Sequence, residues 1–584
     1  NHRRTEEQAT KGFVLGSLHP ELSKDFNGRF DMVIGNPPWT SLKGDKKERE
    51  QHNAIFTQLA RQILTDRGLE EIAQTYRNPD NNPDFPFLWK SIQWAKPGGI
   101  ISMALPGRIF LKQSEPGTRA FNAVLQGIEI TGILNGSNLS DCSVWPGMNQ
   151  PFMLFFARNR VPAATHHFHF VTPHFERRLT DKGRIRIDYQ SAQPVAASEV
   201  AKDSRLLKTL AVGTALDVEV LSKLDDLDWP TVESYWKSQE LYSGVGYILS
   251  PKNNIQSDAS FMRGLPNFVP PKDGGFSVDM SSLLEFGHST AHKRRRMELY
   301  TPPLLIVPES PGNSLFVPKS WIVREPIVFS SSYYGFSAHN SKEPDSIMAL
   351  LHLITHTELF RYHVLMTSSK MGAERRTFLK TSVENFPFPL IDLLPKRQRQ
   401  RAVELSNLLE TASSKPWKAI NDFIFDLYGL DKYDRQVVKD TLEVAAPFKE
   451  ARDRANSFPI KIERNTFYTE LHRLLAPSFD ITHEKVSIDE IKVTKQDILL
   501  PWHFFTVSSS STSATLTQAA QKRLISEITE AANKTGCSRV VVHEKGLLLV
   551  GIIGQYRYWT LSRARLCALD ILRHHLDTFP MGRQ

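Results

Sequence analysis

Along the first 160 residues two hydrophobic patterns alternate: short, nearly continuous apolar runs, and longer segments with apolar residues at helical spacing. Phe30-Asp31-Met32-Val33-Ile34-Gly35 is a run of the first kind, ended by glycine and then proline. Residues 49–65 place Ile55, Phe56, Leu59 and Ile63 on one helical stripe. Residues 85–96 do the same with Leu88, Ile92 and Ala95, until Pro97-Gly98-Gly99 stops the helix. The next apolar strand is 100–105, closed by Pro106. A helix is predicted over about 117–126 and strands over 128–134 and 151–157. Apolar strands alternating with helices predict an α/β fold with a mostly parallel sheet covered on both faces.

The pattern then changes. Residues 160–235 carry basic and aromatic residues, short strands and a polar stretch at 188–203. Residues 236–395 are rich in Pro, Gly, Ser and aromatics, with strands predicted at 304–307 and 326–329. A helix over 344–360 carries Leu350, Leu351, Ile354 and Phe360. This reads as an irregular, loop-heavy binding region. Residues 396–445 read as helical. The tail from 455 reads as a helix at 516–533, strands at 539–543 and 546–553, and a helix at 560–575, with 508–513 a low-complexity flexible loop.

Composition bounds the chemistry. A length of 584 residues fits about three to four domains. The net charge of +9, with a pI near 9.2, suits a polyanionic partner. Cys142, Cys537 and Cys567 have no paired spacing, so neither a disulfide framework nor a cysteine-based zinc site is expected, and a reducing compartment follows. No apolar run reaches 18 residues, so no membrane span is predicted. His166-His167-Phe168-His169 has a metal-like look, but alternation puts His167 and His169 on one face of a surface strand, and no metal site is expected. His543-Glu544-Lys545 resembles part of a nuclease acidic centre, without an upstream aspartate to complete it.

The sharpest chemistry lies in Asn36-Pro37-Pro38-Trp39, delivered by the 30–35 strand. An exocyclic aromatic amine is a poor nucleophile because its lone pair is delocalised into the ring. Accepting hydrogen bonds from both its N–H groups shifts the nitrogen toward a tetrahedral geometry. The Asn36 side-chain carbonyl supplies one acceptor and the Pro37 backbone carbonyl the second. Two prolines fix φ and remove two backbone donors, leaving a stiff rim of acceptors. Trp39 supplies a flat face for a flipped base. A strand followed by a satisfied Asn-Pro-Pro turn is the structural alternative, but loops at the carboxyl ends of parallel strands are where open α/β sheets bind ligands.

The segment Phe30–Trp39 resembles the catalytic motif of amino-methyltransferases acting on adenine N6 in DNA, and more widely the Eco57I-like type IIG restriction–modification and phage-defence methylases. Phe85-Pro86-Phe87-Leu88-Trp89, then Ala95-Lys96-Pro97-Gly98-Gly99-Ile100-Ile101, then Leu105-Pro106, resemble the helix, strand and turn that come after the catalytic motif in these enzymes. Met371-Gly372-Ala373-Glu374-Arg375-Arg376, leading to Phe386-Pro387-Phe388-Pro389, resembles the close of their target-recognition domain, and Ile424-Phe425-Asp426-Leu427-Tyr428-Gly429-Leu430 the helix after it. The resemblance implies a partial Rossmann-like methyltransferase sheet over 1–165, a connecting region over 166–235 and a mixed α+β target-recognition domain over 236–395. A helical segment over 396–450 and a C-terminal α+β domain over 451–584 would complete the chain.

The same resemblance implies an S-adenosylmethionine-dependent enzyme of prokaryotic cytoplasm whose partner is double-stranded DNA. Asn36, Pro37, Pro38 and Trp39 would be catalytic, with Gly16, Ser17 and Asn36 beside the cofactor. Lys293, Arg294, Arg295, Arg296, Arg375, Arg376 and Lys380 are the basic residues expected on DNA. A βαβ unit needs about 30 residues or more, so a cofactor-binding half does not fit before Asn36. Gly244-Val245-Gly246 lacks the helix start that a phosphate-binding loop needs after it. A separate or missing N-terminal portion carrying the cofactor site, or a nuclease, is the expectation, and whether the chain is active alone stays open. Two other readings stay open: a DNA-binding specificity subunit with a vestigial methylase fold, and a protein glutamine methyltransferase, whose chemistry and N-P-P-Tyr loop are similar.

Overall fold

The computed structural model describes residues 18, 26–41, 45–111, 114–139, 150–176, 184–249, 255–310, 319–372, 377, 379–492, 502–512, 517–544 and 546–579. They form two compact units. The first comprises Asn1–Thr214, Asp489–Val507 and Thr512–Ile553; the second, Ala215–Ile488, Ser508–Ser511 and Gly554–Gln584.

The first unit is built on a six-stranded sheet. Its elements in chain order are β1 (Phe30–Gly35), α1 (Lys46–Asp66), α2 (Asp84–Trp94), β2 (Ala95–Pro106), α3 (Glu115–Gly127), β3 (Glu129–Asn135), β4 (Phe152–Arg158), β5 (His167–Val171) and β6 (Ala192–Ala196). The strand order is β1-β2-β4-β3-β5-β6. Each predicted element up to residue 158 is present, with ends shifted by a few residues. Helix α1 starts at a capping box: Asp45 accepts from the Glu48 N–H at 2.9 Å, and Glu48 accepts from the Asp45 N–H at 3.0 Å.

Two features of the expected sheet are corrected. Strands β1, β2, β3 and β5 share one direction, but β4 is inserted antiparallel between β2 and β3, and β6 is antiparallel to β5. Only β1–β2 and β3–β5 are parallel neighbours, so the sheet is mixed. The apolar run 151–157 gives no sign of strand direction, because a buried strand reads the same either way. The second correction concerns coverage. One face, with Val33, Ile101, Met103, Phe155, Ile133 and Phe170, is buried. The opposite face leaves Met32 51%, Ile34 73%, Ile100 37% and Phe156 38% exposed.

The buried face is held from behind by a polar clasp. Asn159, just past β4, is 7% exposed and donates to the carbonyls of Ile92, Ala95 and Lys96 at 2.9, 2.7 and 3.2 Å. It thereby supplies donors to the carbonyls around the α2–β2 junction, Ile92 in the last turn of α2 among them. Its own side-chain oxygen accepts from Arg67, whose other nitrogen reaches the Gly127 carbonyl at 2.7 Å. One asparagine thus ties the ends of α1, α2 and α3 to β4.

The second unit holds an antiparallel sheet of β7 (Tyr242–Val245), β8 (Leu304–Pro308), β9 (Trp321–Val323) and β10 (Tyr333–Ser337), in the order β9-β8-β10-β7. The strand expected at 326–329 is instead a buried segment making single bridges, Asn267 with Val328 among them. The helix expected over 344–360 is two, α4 (Pro344–Thr355) and α5 (Glu358–Thr367), because Thr357 caps a new start by accepting from Phe360 N–H at 3.3 Å. Helices α6 (Lys396–Thr411), α7 (Trp417–Leu427), α8 (Lys432–Ala445) and α9 (Lys461–Asp480) come next.

The chain then returns to the first unit with β11 (Trp502–Ser509), α10 (Gln518–Thr535), β12 (Arg539–Glu544) and β13 (Leu547–Ile553); β13 lies between β11 and β12. The serine stretch expected as a loop therefore starts as strand, since β11 runs through Ser509. This sheet joins the residues after β5. Arg186 is 1% exposed and donates to the Cys537 carbonyl at 2.9 Å, and Ser538 donates to Asp188 at 2.8 Å. Among the described residues no helix is long and apolar enough to cross a membrane.

Candidate active site

Strand β1 ends at the rung Gly35–Met103, one residue short of Ala104 on its parallel neighbour. The chain beyond it is Asn36-Pro37-Pro38-Trp39. The Ala104 carbonyl, left without a strand partner on that side, accepts from the Trp39 indole N–H at 3.2 Å. The Trp39 ring packs with Leu134 and Leu154 beside buried Leu139 and Phe152. The indole is therefore fixed at the end of the sheet. Pro37 is buried, whereas Asn36 and Pro38 are exposed. Neither the Asn36 amide nor the Pro37 carbonyl is engaged in a hydrogen bond among the described residues.

The loop is braced from the neighbouring connections. Ser41 donates to the Asn82 side-chain oxygen at 2.8 Å, and the Asn82 N–H donates to Asp80 at 3.0 Å. Asn78 donates to the Asp80 carbonyl at 2.5 Å, and its own N–H reaches Thr57 on α1 at 3.1 Å. Just beyond, Asp84 opens α2 at 1% exposure and is ion-paired with Arg108, two residues past the end of β2. After β3, the Asn135 side chain accepts from the Ser137 N–H at 3.0 Å. Gly136 has no room for a side chain: a Cβ would lie 2.3 Å from the Phe152 ring. The loops after β1, β2 and β3 leave the carboxyl ends of these strands, where a ligand crevice is expected, and the 76–83 connection into α2 meets the first of them through Ser41 and Asn82.

Asp84 and Arg108 were not singled out in the sequence. The signal was there: a charge inside each of two apolar runs, Pro83-Asp84-Phe85-Pro86 and Leu105-Pro106-Gly107-Arg108-Ile109. On β1, Asp31 pairs with Lys96 at 2.8 Å, and this hydrogen bond holds its carboxyl below the usual range.

Gly16 and Ser17 lie outside the described residues. The described residues around β1 do not fit S-adenosylmethionine. The one carboxylate on β1, Asp31, is held by Lys96, and the side chains further along, Met32 and Ile34, are apolar and uncovered. Nothing there grips a ribose or an ammonium.

The basic residues, all in the second unit, separate by what they touch. Arg295 sits at φ 69° with its Nε donating to the Gly246 carbonyl at 3.0 Å. Arg294 donates to the Asp258 carbonyl at 2.9 Å and lies over Phe261. Both are struts of their turn, and Arg294 is exposed, as are Lys293 and Arg296. Lys380 is committed to Glu384 on its own helical turn and to Ser243 at 3.4 Å. Arg375 and Arg376 lie outside the described residues. Gly246 serves packing: a Cβ there would stand 2.2 Å from the Phe329 carbonyl. His167 and His169 are exposed and Phe168 and Phe170 buried, the alternation of a surface strand. Among the described residues no three His, Cys, Asp or Glu side chains gather as a metal site.

Residues 4–139 match the family model described as Eco57I restriction-modification methylase. No curated protein matches the chain. Among solved structures, the type IIG restriction endonuclease BpuSI is similar at 11% identity, over 72% of this chain and 54% of that one, with a TM-score of 0.25. The type IIL restriction-modification enzyme MmeI in complex with DNA is similar at 10% identity, over 70% and 57%, with a TM-score of 0.39. The DrdV–DNA complex is similar at 10% identity, over 65% and 44%, with a TM-score of 0.35. The chain spans about half the length of these solved enzymes.

Proposed function

We propose, from the premise that this chain is an Eco57I-like restriction-modification methylase over residues 4–139, that it is the catalytic and DNA-reading part of a DNA adenine-N6 methyltransferase. The observation that carries the reading is the pair of unengaged acceptors, the Asn36 amide oxygen and the Pro37 carbonyl, at the carboxyl end of β1. They accept the two N–H groups of the target amine and localise its lone pair. Trp39, anchored through Ala104, stacks on the flipped adenine. A strong general base is not required, since the proton leaves after the nitrogen has become cationic. S-adenosylmethionine would supply the methyl group, with Asn36 the described residue proposed beside it. Lys293 and Arg296, exposed cations of the basic turn that, unlike Arg294 and Arg295, brace no carbonyl among the described residues, would meet DNA.

The test is Asn36→Ala in the complete modification system, read by single-molecule sequencing of host DNA for modified adenines. Methylation should fall by about 10²-fold or more, the cost of removing one aimed polar group from a reacting centre, with DNA binding retained. Unchanged methylation would refute a catalytic role for Asn36.

A further inference from the structure

The second unit contains an open cavity of about 220 Å³ far along the chain from Asn36. Its walls come from α8, α9 and the start of α11 (Leu561–His574). Three cations converge there on one aromatic ring. Lys432 Nζ lies 5.0 Å from the Tyr433 ring centroid, and the guanidinium carbons of Arg473 and Arg565 lie 5.2 and 5.6 Å from it. Like charges this close fall within about one Debye length, ~10 Å at 0.1 M salt, so they repel with little screening. The ring quadrupole offsets part of that cost.

Acidic side chains answer it incompletely. Glu470 takes Arg473 through Nε and Nη2 at 2.8 and 2.6 Å, and Tyr433 takes a further side-chain hydrogen bond from this guanidinium. Arg565 reaches Glu219 at 3.4 Å. Lys432 has no acidic partner within ion-pair distance among the described residues. The cavity is therefore a largely apolar recess rimmed by more positive than negative charge beside the Tyr433 ring.

We propose that this cavity binds a phosphate oxyanion, held by Lys432 and Arg565 beside the Glu470-paired Arg473 at the Tyr433 ring. The inference stands without the methylase reading, because it rests on this cluster alone. The oxyanion could come from a DNA backbone or from a small phosphate ligand, and the experiment separates them. The whole chain and its Lys432→Gln/Arg565→Gln variant are compared with two probes: a short random-sequence DNA duplex across a salt series, and inorganic pyrophosphate by calorimetry. The expected result is a loss of about five-fold or more with one of them. A loss on DNA, with the salt slope reduced by roughly one to two, assigns the backbone; a loss on pyrophosphate alone assigns a small ligand. Lys432→Gln by itself changes an exposed side chain and should reproduce part of the loss in a folded protein. Equal binding by chain and variant, or no binding of either probe to the unaltered chain, overturns the proposal.

Discussion

Asn159 shows how much one side chain decides in the first unit. Its amide shares its two N–H groups among the carbonyls of Ile92, Ala95 and Lys96 at the α2–β2 junction and its oxygen receives Arg67, whose burial pushes its pKa down from the usual guanidinium range. Asn159→Ala removes the acceptor of a largely buried cation and orphans carbonyls together. It should cost about 2–4 kcal/mol in the unfolding transition of the first unit, measured by urea titration. An effect below about 0.5 kcal/mol would mean that water replaces the amide. Nothing in the local sequence Ala157-Arg158-Asn159-Arg160 marks this residue, because its partners lie 63 to 92 positions away. The acceptor role proposed for Asn36, by contrast, rests on local sequence, since its chemistry needs only itself, Pro37 and the strand before them.

Among elements, the β1–β2 pair shows why Gly99 is glycine. The register jumps from Phe30–Ala95 to Met32–Ile100, so Lys96-Pro97-Gly98-Gly99 bulges from β2. A Cβ on Gly99 would stand 2.9 Å from the Lys96 carbonyl and 3.2 Å from the carbonyls of Asp31 and Phe30. These are backbone atoms and cannot swing aside. Gly99→Ala should therefore destabilise the first unit by about 1–3 kcal/mol, whereas Gly287→Ala, with nothing within 4 Å of the added carbon, should stay within about 0.5 kcal/mol. Thermal unfolding of the two variants side by side decides it. The Pro-Gly-Gly signal correctly ended α2, but it gave no sign that the same residues form a bulge in the next strand. A helix stop and a strand bulge use the same permissive residues.

For the molecule as a whole, buried histidines couple stability to pH. His352 and His356 on α4 and at its end are buried, and their rings meet edge to face at 4.7 Å. His352 contacts Ser406 on α6 at 2.9 Å, and His356 accepts from the Ser320 N–H at 3.2 Å. Burial, then His356 and Arg324, hold His352 well below its usual pKa. Burial, opposed by the His352 carbonyl and reinforced by Arg361 and Lys319, lowers His356 to about 4. Both folded-state values lie below the unfolded one, so their stabilisation is complete above about pH 6.5 and is lost as pH falls toward 4. The His356 shift alone should cost the second unit about 2–3 kcal/mol between about pH 7 and about pH 4.5, with His352 adding to it, read by urea titration at those two values. His356→Gln should flatten the dependence; an unchanged slope would assign it to other groups.

Hydrophobic period, glycine and proline, and the chemistry of neighbouring residues were enough to dictate the alternation of strands and helices through residue 158 and the loop that presents Asn36. The direction of β4, the bare outer face of β1 and β2, the return of 502–553 to Arg186 and Asp188, and the gathering of Lys432, Arg473 and Arg565 around Tyr433 exist only in the folded chain. An apolar run has the same pattern whichever way it points. A contact between residues hundreds of positions apart leaves no period in either segment.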